Sequence, residues 1–154
     1  MIESHERVSM SIPARITVIT LGVADVGRAT EFYQRLGWPL SSSSVAGEVS
    51  FFATVGCVLA LFGQDALAAD ATLPTVEPSA FRGVATAINV ASPAEVDAAL
   101  AAAQAAGGRL VKPGQKVFWG GYSGYFADPD SNLWEVAHNP YWEVDERGVV
   151  LLPA

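Results

Sequence analysis

The stretch Gly120–Pro140, GGYSGYFADPDSNLWEVAHNP, decides how the chain is interpreted. Two strand-like segments flank Asp128–Asn132, where Asp, Pro, Ser and Asn favour a tight turn. Side chains alternate between the two faces of a strand, so Glu135 faces away from its apolar neighbours Trp134 and Val136. A carboxylate at such a position is typical of a metal ligand. The rest of the chain must then supply companions for it.

Composition narrows the class of protein. The chain has 154 residues, of which 51% are hydrophobic and 16% charged, which fits one domain or two small modules that share a core. The formal net charge of −7 and the scattered basic residues argue against a nucleic-acid partner. Cys57 is the only cysteine, so no intramolecular disulfide can form. No signal peptide or membrane-spanning run is apparent, which predicts a cytoplasmic protein with no membrane partner.

Strand and helix signals follow one another in a regular order. Ala14–Val23 is rich in β-branched residues and predicts a strand, and Asp25 caps a helix that ends at Gly37. VSFFATV and CVLALFG predict a hairpin of two strands. Phe81–Val90 predicts another strand, and Ser92-Pro-Ala-Glu opens an alanine-rich helix. The remaining strands follow that helix.

This order is an internal repeat, because LGVAD before the first helix matches INVAS before the second at an offset of 67 residues. Each half is too small to bury its own sheet, so the halves should share a core. We therefore predict an α+β fold of two βαβββ modules. Module one covers residues 14–63, a linker of low regularity covers 64–80, and module two covers 81–139. Residues 1–13 form an N-terminal arm, and 140–154 form a C-terminal extension with a small hairpin.

ITLGVADVGRATEFYQRLGW in the first half and GYFADPDSNLWEV in the second resemble the vicinal oxygen chelate superfamily. This superfamily includes glyoxalase I, bleomycin resistance proteins, fosfomycin resistance proteins and extradiol dioxygenases. The resemblance spans roughly residues 14–139. It implies paired modules whose curled mixed sheets form a concave cleft. It also implies frequent dimerisation, so a homodimer is expected.

The resemblance places the metal ligands of the superfamily at Val18, Ala60, Ala85 and Glu135. Metal-dependent members of the glyoxalase kind carry His, Glu, His and Glu there, and Glu135 alone has a suitable side chain. A divalent metal needs three or more protein ligands. His138 lies three residues beyond Glu135 and should occupy the opposite face of the strand. We therefore predict no metal and no other cofactor.

Strand alternation predicts a mostly apolar cleft that suits a small organic molecule with a few polar contacts. The side chains chosen as ligand-binding are Thr20, Phe62, Asn89, Trp119 and Glu135. Trp119 belongs to the aromatic run KVFWGGYSGY, which either packs across a glycine-kinked hairpin or forms a stacking wall of the cleft. Glu135 has three open interpretations: it contacts a cationic or hydroxyl group of a ligand, it pairs with an internal partner, or it is a catalytic general base.

Three functions remain open at this point. The preferred one is a protein that binds a small apolar or aromatic molecule without metal. The alternative is an enzyme of the lyase or dioxygenase type, either with an unusual metal site or metal-free with Glu135 as the base. The third is a scaffold with a filled cleft and only a protein partner.

Overall fold

The computed structural model describes residues 14, 16–75, 77 and 80–152. The predicted N-terminal arm, residues 1–13, lies outside the described residues. Within the described chain the elements run in the following order: β1 Val18–Val23, α1 Val26–Arg35, β2 Val49–Ala53, β3 Val58–Gly63, α2 Gln64–Asp70, β4 Thr86–Asn89, α3 Pro93–Ala105, β5 Arg109–Lys116, β6 Tyr122–Ala127, β7 Leu133–His138, β8 Glu143–Val144 and β9 Val150–Leu151. No helix among these residues is long and apolar enough to cross a membrane.

The α+β fold of two repeated modules is confirmed. Module one forms a sheet in the order β1-β3-β2, and module two forms a sheet in the order β4-β7-β6-β5. In each sheet the first strand runs parallel to the last strand of its module, β1 beside β3 and β4 beside β7. The helices α1 and α3 begin at Val26 and Pro93, 67 positions apart, which is the offset of the sequence repeat.

Both module helices begin at the predicted caps. The Asp25 carboxylate accepts the backbone N–H of Arg28 at 2.9 Å, and the Ser92 hydroxyl accepts that of Glu95 at 3.2 Å. Helix α1 ends before Gly37, whose φ of +88° is the left-handed conformation that glycine adopts at helix ends. The local signals therefore fix both helix starts and one helix end.

Three segments differ from expectation. Gln64–Asp70, which belongs to the predicted linker of low regularity, forms α2, because its Ala, Leu and Gln residues favour helix and the breaking prolines come only later. The strand predicted over Phe81–Val90 is confined to Thr86–Asn89, since Gly83 turns the chain at a φ of +76°. The βαβββ pattern implies three strands after α1 in module one, but the residues before β2 provide only an isolated bridge between Leu40 and Phe52, because the serines that follow Leu40 form a turn.

One hydrophobic core joins the two modules. An aromatic cluster joins side chains of the two modules, with Trp38 in edge contact with Trp134 at 5.5 Å between ring centroids and Phe126 stacked on Trp134 at 6.1 Å. The largest fully buried side chains come from both modules: Val23, Phe32, Tyr33, Phe52, Leu61, Val96 and Val136. The core therefore covers the helix side of each sheet and leaves the other face open.

Candidate functional site

Strand β7 presents its two faces as the sequence predicts. Trp134 and Val136 are buried against the helices, whereas Glu135 is half-buried on the open face. The pairing of β7 with β6 is unbroken from Leu133 to His138, so Glu135 and His138 lie on opposite faces. Nδ1 of His138 lies 3.2 Å from the carbonyl oxygen of Val90, which places this ring at the strand end and away from Glu135.

A cavity of about 330 Å³ lies beside the hairpin of β5 and β6, and we call it the hairpin cavity. Glu135 forms part of its wall, and Trp119 and the fully exposed Phe118 come from the hairpin turn. Its volume is at the lower end of the range for small-molecule sites. The other residues that line it are Lys112, Gln115, Lys116, Val117, Ser123 and Tyr125.

Glu135 has a direct neighbour across the β6–β7 ladder, where it faces Tyr125. The pKa of Tyr125 is raised, first by burial and then by the negative charge of Glu135. The phenol therefore keeps its proton and remains a donor.

The hairpin turn fixes the position of Trp119. It sits in a turn closed by hydrogen bonds from the Gly120 N–H to the Val117 carbonyl and from the Val117 N–H to the Gly121 carbonyl, each 3.0 Å. Its indole lies directly against Gly121, where a Cβ would collide with the ring and with the carbonyl oxygen of His138. Packing on Gly121 thus holds the indole in the wall of the hairpin cavity.

The other ligand-binding residues chosen from the sequence do not join this pair. Thr20 is exposed on β1 and lines a different cavity, between the two sheets. Phe62 and Asn89 are half-buried on β3 and β4, and neither lines the hairpin cavity. The cleft that alternation predicted as one surface is therefore divided.

Sequence reasoning missed two lysines of the hairpin cavity and the position of Tyr125 opposite Glu135. Lys112 and Lys116 line the hairpin cavity, and neither forms a salt bridge with Glu135. The pairing of β5 with β6 shifts register between Leu110 and Lys112 and again between Lys112 and Gln115. A regular alternation therefore does not give the faces of these lysines. The Tyr125–Glu135 pair could have been found by aligning the two strands on their Asp128–Asn132 turn.

The superfamily type of metal centre does not fit these residues. Val18 and Ala60 belong to neighbouring strands of module one, Ala85 precedes β4, and none of the three has a donor atom on its side chain. Among the described residues no group of three or more His, Cys, Asp or Glu side chains could hold a metal ion. The chemistry of the site must therefore be argued from its own side chains.

Residues 15–136 match the family model described as the glyoxalase/bleomycin resistance protein/dioxygenase superfamily. Among proteins of curated function, none matches the chain significantly.

Similar solved structures carry related descriptions. A glyoxalase-related enzyme from Fulvimarina pelagi is 33% identical, with a TM-score of 0.82 over 92% of this chain and 100% of that one. A glyoxalase/bleomycin resistance protein/dioxygenase from Nocardioides is 30% identical, with a TM-score of 0.69 over 85% of this chain and 86% of that one. Lactoylglutathione lyase from Agrobacterium tumefaciens is 24% identical, with a TM-score of 0.63 over 83% of this chain and 96% of that one, and shares the fold.

Proposed function

Because the chain belongs to the glyoxalase/bleomycin resistance protein/dioxygenase superfamily, we propose that it binds a small aromatic molecule in the hairpin cavity without a metal. The observation that carries this proposal is that Trp119 and Glu135 line one cavity of about 330 Å³. An indole face and a carboxylate together recognise a ring that carries a hydrogen-bond donor.

Each side chain has a distinct role in this proposal. Trp119 stacks on the aromatic body, and the exposed Phe118 adds apolar surface at the rim. Glu135 accepts a hydrogen bond from a hydroxyl or ammonium group of the ligand. The ligand class is therefore an aromatic alcohol or amine.

The test uses three probes of one shape: benzyl alcohol, benzylamine and benzyl methyl ether, which lacks the donor. Binding is followed by amide chemical shifts of the cavity. We expect Trp119→Ala to weaken all three probes at least about tenfold, because removing a buried aromatic contact commonly costs more than 1 kcal/mol. Glu135→Gln should weaken benzylamine most and benzyl alcohol less, because the amide oxygen still accepts a hydrogen bond but carries no charge, and it should leave the ether unchanged.

Matched controls isolate the cavity. Trp142→Ala removes an indole from the C-terminal extension, and Glu31→Gln neutralises a carboxylate on α1; neither residue lines the cavity, and both variants should bind as the wild type does. Chelator treatment should also leave binding unchanged. Equal binding by wild type and Trp119→Ala would refute the proposal, as would stoichiometric metal held through Glu135.

A metal-free enzyme is the second candidate, and the Tyr125–Glu135 pair is the observation that favours it. A carboxylate beside a protonated phenol can remove a proton from a C–H acid while the phenol donates to the developing oxyanion. Deuterium exchange at the α-carbon of phenylacetone, present in the wild type and lost in Glu135→Gln, would favour this candidate over simple binding.

A homodimer in the cytoplasm is the assembly that we propose. Support comes from apolar side chains at and beside the open edge of β1, where Ile16 is 69% and Val18 47% exposed. Apolar surface of this kind is commonly covered by a second copy through a two-fold axis. Light scattering should give twice the chain mass of 16.2 kDa. A monomer mass at every concentration would contradict the dimer.

A further inference from the structure

A second cavity, of about 310 Å³, lies between the two sheets, and we call it the inter-sheet cavity. Its walls are β1 from module one, and Thr86 and Leu133 from the starts of β4 and β7 in module two. In the part of the chain that the structure describes, no residue lines both this cavity and the hairpin cavity. The inter-sheet cavity can therefore bind a different ligand from the one proposed for the hairpin cavity.

Among the described residues that line the inter-sheet cavity, Arg82 is the one that carries a charge. Its guanidinium is half-buried and donates to the Oδ1 of Asn132, a neutral partner. The Nδ2 of Asn132 in turn donates to the Asp128 carboxylate at 2.8 Å, so the amide stands between the two charges. Within the described residues, no carboxylate forms a salt bridge with Arg82.

The nearby Asp130 does not neutralise Arg82 in this arrangement. Its carboxylate is buried, and Oδ1 accepts the N–H of Ala24 at 2.8 Å and the guanidinium of Arg28 at 3.4 Å. A guanidinium has five N–H donors in a planar fork that matches a carboxylate. Arg82 therefore keeps unused donors and an uncompensated charge at the wall of a cavity.

The remaining walls fit an apolar body. Phe81, Val84 and Leu133 contribute apolar surface, and the residues Thr20, Thr86 and Ser131 carry hydroxyl groups. We propose that the inter-sheet cavity binds a small monocarboxylate with an apolar body, whose carboxylate is held by Arg82. Such a ligand gives Arg82 the ionic partner that the described chain does not supply.

The probes are benzoate and benzamide, which share a shape and differ in charge. Amide shifts of Thr86 and Ser131 report the inter-sheet cavity, and those of Ser123 and Tyr125 report the hairpin cavity. We expect benzoate to shift the first pair saturably. Benzamide should bind at least about tenfold more weakly, because it offers Arg82 one neutral oxygen instead of the two charged oxygens of a bidentate pair.

Arg82→Gln should reduce benzoate binding to the level of benzamide. Arg109→Gln removes the same charge from β5, outside the lining, and should leave the affinity unchanged. The proposal is overturned if the wild type binds the two probes equally, a comparison that needs no variant. It is also overturned if benzoate shifts only the hairpin cavity or binds Arg82→Gln undiminished. Trp119→Ala should not affect benzoate binding in the inter-sheet cavity. A failure of the monocarboxylate proposal can therefore be distinguished from a failure of the proposed function.

Discussion

Glu135 and Tyr125 face each other across two strands, and each changes what the other can do. Burial and then the charge of Glu135 raise the pKa of the phenol. The three sequence interpretations of Glu135 stay open. The neighbour across the strands is a tyrosine, which is neutral and leaves the negative charge of Glu135 available to a ligand.

Glu135→Gln should lower the pKa of Tyr125 toward, but not to, the ordinary tyrosine value of 10.0. The substitution removes the charge of Glu135, which is the second cause of the shift, and leaves burial, which is the first. The measurement is a titration of tyrosinate absorbance, with Tyr125→Phe to identify the transition that belongs to this residue.

Glu31→Gln is the control for this titration, because Glu31 pairs with Arg35 at the surface of α1. It should leave the Tyr125 transition where it is in the wild type. A transition that does not move in Glu135→Gln would show that the charge of Glu135 does not act on the phenol.

The elements show how far a sequence can be interpreted without a structure. Asp25 and Ser92 predict their helices correctly because a cap acts on backbone N–H groups within three residues. Helix α2 was missed because later prolines outweighed a short run of good helix formers. The predicted strand is longer than β4, because β-branched and aromatic residues favour a strand but Gly83 separates some of them from the sheet.

The site was predictable only in part, and for a similar reason. Alternation along the regular strand β7 assigns Glu135 to the open face. It fails on β5, where two register shifts move Lys112 and Gln115 relative to β6. It also gives no information on where one cavity ends and another begins, which depends on how the two sheets are placed. Thr20 and Glu135 were therefore expected in one cleft and line separate cavities.

At the scale of the molecule, the two motifs that carry the family resemblance meet in one network. The buried Tyr33 of α1 donates to Oδ2 of Asp128 at 2.8 Å and accepts the indole N–H of Trp134 at 3.1 Å. Asp130, in the same turn as Asp128, accepts the N–H of Ala24 before α1. Segments about a hundred positions apart in the chain thus meet in this hydrogen-bond network, which joins module one to module two.

This network makes Asp128 sensitive to pH. Its pKa is raised, first by burial, while hydrogen bonds from Asn132 and Tyr33 act in the opposite direction. A carboxyl group whose folded pKa exceeds its unfolded value contributes stability below the unfolded pKa, and this is lost as the pH rises through the folded pKa. The hydrogen-bond donors around Asp128 therefore contribute most to stability at pH values where this carboxylate is ionised.

Tyr33→Phe should lower the free energy of unfolding by about 1–3 kcal/mol at neutral pH, because it leaves a buried carboxylate and an indole N–H short of a partner. Removing the Tyr33 hydrogen bond also raises the pKa of Asp128 further, so the loss should be smaller at about pH 4 than at about pH 7. The measurement is urea unfolding at both pH values.

Tyr122→Phe is the matched control, since the Tyr122 hydroxyl donates to Asp97 at the surface and its removal should change stability little. A loss in Tyr33→Phe no greater than in the control, or independent of pH, would show that the aromatic packing joins the modules without help from this network.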